Sequence, residues 1–358
     1  MFSGKQGENV DSQEEHFQIF GGPASPYSMK LRAVFRYRRI PHYWLVPQSG
    51  FTGEGRLGEG SPDSPLNRAA KGVVPVVMYP NGEFKSDSTP IMLELESLYS
   101  RRSIIPPSPS IAFIARLIED MADECMPLPM FYFRWTIDAD WCGRRQMIGW
   151  NGALADRELN RIASAFIKRQ QTQLGIAAQL SISDVQKNVE SILGALESGL
   201  KKSLFFFGTR PSIAEFGFFG QLSQYVVDPY IASVTKKRAV RTFQWTQLLD
   251  DASGVCGEWA DSAQCLTDEL LFLVKTLAPF YFSLQDMARE SRGLDDLGDE
   301  INGPGYRLKC LLSLKQELAN LQVTDRNNIE GFLKSAGCWE RLQFQSGEQE
   351  KVVKIAPQ

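Results

Sequence analysis

The sequence predicts a small α/β domain followed by an all-α domain. Three observations carry this. Between Phe17 and about Ser100, short apolar runs alternate with helix-period segments. The stretch SRRSIIPPSPS then interrupts the pattern with Pro106, Pro107 and Pro109, and it reads as an interdomain linker. Beyond it, apolar residues recur at helical spacing, most cleanly at Val185, Val189, Ile192, Leu193, Leu196 and Leu200.

Taken in order, residues 1–16 are polar and acidic and read as a disordered leader. Strands are expected at Phe17–Phe20, His42–Val46, Val74–Met78 and Glu83–Phe84. Helices are expected at Ser28–Arg39 and Thr89–Tyr99. The Gly-, Ser- and Pro-rich stretch between Pro47 and Lys71 reads as a mobile loop. Helices follow at 111–124, 156–180 and 183–200. Another begins at Pro211, where Ser212 and Glu215 have the spacing of a capping box. Trp141 and Trp150 fall in what reads as an irregular, Trp-rich insert. Two last helices are expected near Tyr306–Leu321 and Asn328–Leu342. The expected organisation is a leader (1–16), an α/β domain (17–104), an all-α domain (105–290) and a helical C-terminal extension (291–358).

Bulk composition excludes more than it suggests. With 358 residues, 43% hydrophobic and 23% charged, the chain has enough material for two domains and an ordinary core. A net charge of -3 gives no push toward nucleic acid or an acidic membrane surface. The best apolar run, Leu270–Phe282, is broken by Lys275 and Pro279, so no membrane span is expected. The N-terminal stretch lacks the apolar core of a signal peptide, and the expected location is the cytoplasm. Six scattered cysteines without a CxxC fit free thiols in a reducing compartment. Two histidines supply neither a zinc site nor a histidine-based triad, and no metal is expected. No GxGxxG follows the first strand, which disfavours a dinucleotide fold.

Chemistry concentrates in three separated pieces. Ser25-Pro26-Tyr27-Ser28 opens the first helix and sets hydroxyls at its positive end, beside unpaired backbone N–H groups. Val74-Pro75 begins an apolar strand in which a proline removes a ladder donor, an oddity that favours a cis turn. Asp87-Ser88 opens the next helix. In order and spacing these pieces resemble the glutathione transferase superfamily, over roughly residues 17 to 285. The resemblance implies a thioredoxin-like α/β domain followed by an all-α helical-bundle domain, with glutathione as co-substrate. It implies that Val74 and Pro75 pair with the cysteinyl part of glutathione, and that Asp87 and Ser88 hold its γ-glutamyl end. It assigns Ser25 to activation of the thiol, in the manner of the serine-type, tau-like members with an S-P-F opening. Phe20 stands where the tyrosine-type members carry Tyr, and Ser25 where thiol-exchange members carry Cys. Tyr27 and Ser28 are the alternative donors at the same site. The family's lysine before its VP pair is replaced by Val73, leaving Lys71 as the candidate for the glycyl carboxylate.

The energetics of such a site are modest. A thiol with a pKa of about 8.5 is mostly protonated at neutral pH, and lowering that by roughly 2 units takes about 2.7 kcal/mol. One charge-assisted hydrogen bond supplies roughly 1.5–3 kcal/mol. A helix N-terminus adds about 0.3–1 kcal/mol.

Each residue also has a plain structural reading. Ser25-Pro26 is what an N-cap with proline at the first helical position looks like. Asp87-Ser88 is compatible with another helix cap, and Lys71 with a solvated loop lysine. The run from Met126 to Trp135, with Trp141 and Trp150, is either core or the lining of a hydrophobic second-substrate pocket.

The leading expectation is a homodimeric glutathione transferase that directs the glutathione thiolate at a hydrophobic electrophile or peroxide. The alternatives are a non-catalytic glutathione-binding or scaffold protein on the same fold and, third, a thiol reductase working through Cys125.

Overall fold

In the computed structural model, residues 16–46, 64–69, 73–175, 181–292, 304–345 and 347–349 are described. The N-terminal part runs β1 (Phe17–Phe20), α1 (Pro26–Arg38), β2 (His42–Leu45), α2 (Pro65–Arg68), β3 (Val76–Met78), β4 (Phe84–Ser86) and α3 (Ser88–Leu98). The strands form one sheet in the order β2-β1-β3-β4. β1 pairs parallel with β2 and antiparallel with β3, and β3 pairs antiparallel with β4. In β1 the side chains alternate between faces: Phe17 and Ile19 are buried on one, while Gln18 and Phe20 are half-buried on the other. This is the expected thioredoxin-like sheet with its helices.

The helical part begins with α4 (Pro109–Cys125), α5 (Pro127–Thr136), α6 (Ala139–Asn151), α7 (Asp156–Thr172) and α8 (Ile182–Leu200). It continues with α9 (Ile213–Tyr225), α10 (Pro229–Arg238), α11 (Val240–Asp250) and the single turn α12 (Ser262–Cys265). Last come α13 (Asp268–Arg292), α14 (Pro304–Asn320), α15 (Val323–Ser335) and a 3₁₀ turn at Glu340–Leu342. α9 is the central helix, and every one of its residues is buried. The Ser212–Glu215 capping box is present: the Ser212 hydroxyl accepts from Ala214 N at 3.1 Å, and the Glu215 carboxylate accepts from Ser212 N at 2.8 Å.

Two expectations need correction. Trp141 and Trp150 belong to a regular helix, α6, rather than an irregular insert. Within the expected loop, Pro65–Arg68 forms a helical turn capped by Ser64. The expected leader up to residue 15 and loop residues 47–63 and 70–72 lie outside the described residues. The proline-bearing linker is held by contacts with the helical part. Ile104 has no exposed surface, and its carbonyl accepts from Ile213 N at 2.8 Å. Arg102 donates to the Val255 carbonyl at 2.8 Å.

The two parts share one hydrophobic cluster. It runs from Phe17 to Leu342 and includes Leu311, Leu314, Leu318, Ile329 and Leu333 of the C-terminal helices. α14 and α15 therefore pack on α4 and α13 as part of the helical body. Among the described residues no helix is long and apolar enough to cross a membrane.

Candidate active site

The strand register brings the three sequence pieces to one end of the sheet. Phe20 of β1 pairs with Val76 of β3, which pairs with Ser86 of β4. The Gly21–Ser25 loop leaves β1 here, Val74-Pro75 enters β3 here, and Asp87-Ser88 leaves β4 here. Adjacent strands lie about 4.8 Å apart, so this edge is roughly 10 Å wide. An extended tripeptide has about that reach.

Ser25 is the N-cap of α1. Its backbone is extended (φ -102°, ψ 117°), Pro26 follows at the first helical position, and its hydroxyl oxygen accepts from Ser28 N at 3.3 Å. Accepting that bond uses a lone pair and leaves the hydroxyl proton as a donor. The loop before it is tightly built. A Cβ on Gly21 would lie 2.8 Å from both Ser28 Cβ and the Trp44 ring, so only glycine fits there. The helical part grips the next two carbonyls. Arg134 donates to Ala24 O at 3.0 Å, Gln224 to Pro23 O at 2.9 Å and Arg145 to Pro23 O at 3.3 Å. Arg134 is itself buried and ion-paired with Asp228 at 2.6 Å. Sequence reasoning missed this role: Arg134 was hidden in a run read only for its apolar residues.

The alternative donors sit differently. The Ser28 hydroxyl has no exposed surface and, among the described residues, no hydrogen-bond partner, and it lies under Gly21. The Tyr27 phenol donates to Asp123 O at 3.2 Å on α4. Burial, then the charge of Asp123, pushes the Tyr27 phenol well above its usual range, so it stays a neutral donor.

The Val74–Pro75 peptide bond is cis, as the sequence oddity led us to expect. Pro75 is buried, and half-buried Val74 packs against the cluster of Trp135, Met147, Trp150 and Phe166. Asp87 precedes α3 at φ 86° and ψ 115°, a conformation that costs a non-glycine residue roughly 1–3 kcal/mol. It makes no side-chain cap bond to its own helix. Its Oδ2 instead accepts from the Tyr306 phenol at 2.5 Å, a residue of α14 that no sequence signal singled out. Ser88 follows, buried, as the first residue of α3. Lys71 lies outside the described residues.

Behind this edge is a buried charge cluster that joins the two parts. Lys30 of α1 has no exposed surface. It bonds Asp123 at 2.5 Å, Thr89 at 2.9 Å and the Glu119 carboxylate. Glu119 also pairs with Arg116 and accepts from Thr89 at 2.6 Å. Burial works to raise the Glu119 carboxyl, but Lys30 and Arg116 hold it down to about 2. Burial dominates at Asp123, which has Lys30 but also Glu119 and Glu124 nearby, and its carboxyl is pushed up to about 7. Arg307 of α14 pairs with Glu124 at 3.1 Å.

The expected second-substrate lining is mostly core. Met126, Met130, Phe133 and Trp135 are at most 3% exposed, whereas Trp141 is 45% exposed. A recess between α13 and the segment that follows α15, lined by Ala278, Phe282, Asp286 and Arg341 among others, shares no residue with the site. Cys125 does not support a reductase. It has no exposed surface, and burial pushes its thiol well up, away from the reactive thiolate.

Comparison with known proteins bears on both parts. Residues 19–103 match the family model described as glutathione S-transferase, N-terminal domain. Residues 169–246 match that described as glutathione S-transferase, C-terminal domain. No curated protein matches the chain. Among solved structures, a glutathione S-transferase from Methylobacterium radiotolerans in complex with glutathione sulfonate is 16% identical, with a TM-score of 0.40 over 69% of this chain and 96% of that one. The beta-etherase LigF from Sphingobium is 15% identical, with a TM-score of 0.43 over 65% and 94%. A glutathione S-transferase from Ceriporiopsis subvermispora in complex with glutathione is 15% identical, with a TM-score of 0.41 over 67% and 98%. The two family models match in chain order, the first on the α/β part and the second on the helical part.

Proposed function

We propose that this chain binds glutathione across the open end of its sheet and activates the thiol for attack on a hydrophobic electrophile or peroxide. The observation that carries the reading is the convergence of Ser25, the cis Val74–Pro75 bond and Asp87-Ser88 on one sheet edge. In this reading Val74 and Pro75 receive the cysteinyl backbone, Asp87 and Ser88 the γ-glutamyl end, and Lys71 the glycyl carboxylate. The Ser25 hydroxyl donates to the sulfur, assisted by the positive end of α1. The thiol proton leaves to solvent, the thiolate forms a bond to the electrophilic atom, and the leaving group departs with its electron pair. No metal takes part. The working species in this reading is a homodimer.

Immobilised glutathione is expected to retain the protein. Ser25→Ala is expected to lower the conjugation rate about 10- to 100-fold, the loss of one charge-assisted hydrogen bond, while the fold survives. A protein that passes through such a column unretained, or a mutant with an unchanged rate, refutes the reading.

A second reading, a non-catalytic glutathione binder, has one observation in its favour: the Ser25 oxygen already serves as a helix cap. Calorimetric binding of glutathione without turnover of any electrophile would select it.

A further inference from the structure

We infer that Arg134 of α5 is a positioning residue for Ser25: it holds the peptide unit from which the Ser25 hydroxyl is aimed at the thiol. This rests on the proposal above that Ser25 activates the thiol, and it makes the helical part of the chain, not α1 alone, responsible for the direction of the donor.

Ser25 ends a hydrogen-bonded turn, in which its N–H donates to Gly22 O at 2.9 Å. The Ala24–Ser25 peptide unit is therefore held at both ends, since its carbonyl accepts from Arg134 Nη1 at 3.0 Å. The next unit is held by α1, where Ser25 O accepts from Met29 N at 3.1 Å. Peptide units are planar, so the Ser25 Cα lies between two fixed planes and its Cβ has one direction. Of these three contacts, only that of Arg134 comes from outside the turn and its helix.

Arg134 is itself fixed on three sides. Its Nε donates to Asp228 at 2.6 Å, its Nη2 to the Gln224 amide oxygen at 2.8 Å and its Nη1 to Ala24 O. Arg134, Asp228 and Gln224 are all buried. Asp228 precedes α10 yet makes no side-chain cap bond to it; its carboxylate serves Arg134 and, at 3.1 Å, Arg145. Gln224 also donates to Pro23 O at 2.9 Å, so the same cluster holds the preceding carbonyl of the turn. The other titratable groups around the cluster are Asp138 and Cys142. A guanidinium delivers its donors in a rigid planar fork, whereas an ammonium is a point donor on a flexible stem. Arg134→Lys thus keeps the charge and loses the geometry.

The test titrates the thiol of bound glutathione in the full-length protein, through the ultraviolet absorbance of the thiolate. Calorimetry with S-methylglutathione, which has the same peptide but no ionisable sulfur, reads the binding alone. In the wild type the bound thiol is expected to titrate below about 8.5, the ordinary thiol value. In Arg134→Lys it is expected to move back up by about one unit, part of the effect of one charge-assisted hydrogen bond, with S-methylglutathione affinity unchanged. In a Ser25→Ala background the same substitution is expected to cause no further shift. An unmoved titration in Arg134→Lys, a further shift in the Ser25→Ala background, or an equal weakening of both ligands would overturn the inference. If Arg134→Lys does not fold, Gln224→Met, which keeps the Arg134–Asp228 pair and removes the bond to Pro23 O, carries the same expectation, and a wild-type titration there would overturn it. A wild type that does not bind glutathione, or whose bound thiol titrates as the free one does, would overturn the reading of Ser25 itself, and this inference with it.

Discussion

Lys30 is the residue on which the two parts of the chain depend most. Its ammonium bonds Thr89 on α3 and Glu119 and Asp123 on α4, with no surface left to water. Burial opposes its charge, but Asp123 and Glu119 more than offset that and raise it above the usual lysine range. Replacing it by methionine leaves two buried carboxyls short of a cation. We expect Lys30→Met to cost about 3–5 kcal/mol, read as a lower denaturant midpoint. The carboxyls also set a pH dependence. An unfolded aspartate titrates near about 3.9, whereas folded Asp123 holds its proton up to about 7. The folded state thus binds more protons across that window, and this group's contribution to stability falls as pH rises from about 4 to about 7. Glu119, depressed to about 2, contributes in the opposite sense and is lost only in strong acid, below about 4. Urea midpoints at pH 5 and 7.5 should therefore show a smaller drop in Asp123→Asn than in the wild type. Equal drops would contradict the assignment.

At the level of elements, the decisive contact is α1 against α9. It is close because Gly220 has no side chain: a Cβ there would lie 2.8 Å from Lys30 Cβ and 2.9 Å from Pro26 O. Alanine is the better helix former by about 1 kcal/mol. The clash should outweigh this, since overpacking costs about 1–3 kcal/mol. Gly220→Ala is expected to lower the urea midpoint, and a raised midpoint would show that α1 can yield. Elements of this kind were largely legible in the sequence. The β1 alternation, Ser25-Pro26 at the start of α1, the Ser212–Glu215 box and the proline opening β3 all act over a few residues. α6 was not legible as a helix: Gly143 and Gly149 within it lower its local helix preference. Its packing of Trp150 and Met147 against α5 and α7 overrides that local preference.

For the molecule as a whole, α14 and α15 are part of the core rather than an appendage. Leu311, Leu314, Leu318, Ile329 and Leu333 belong to the same core as the sheet. They cover α4, of whose seventeen residues all but three are buried. Each such side chain contributes about 1.5–3 kcal/mol on burial. Ending the chain at residue 303 is therefore expected to yield a protein that binds hydrophobic dyes and unfolds non-cooperatively. A truncated chain with a sharp, wild-type-like transition would show the extension to be dispensable.

The sequence by itself determined the order of the two parts, the caps that start α1 and α9, and the three pieces, at Ser25, Val74-Pro75 and Asp87-Ser88, that lie at one end of the sheet. These follow from period, capping and proline chemistry, which are local. Only the tertiary structure decided which of them meet. Tyr306 reaches Asp87 across 219 residues, Arg134 reaches Ala24 across 110, and Lys30 reaches Asp123 across 93. Such contacts are fixed by which helix faces pack together. No short window of residues encodes a partner that far along the chain.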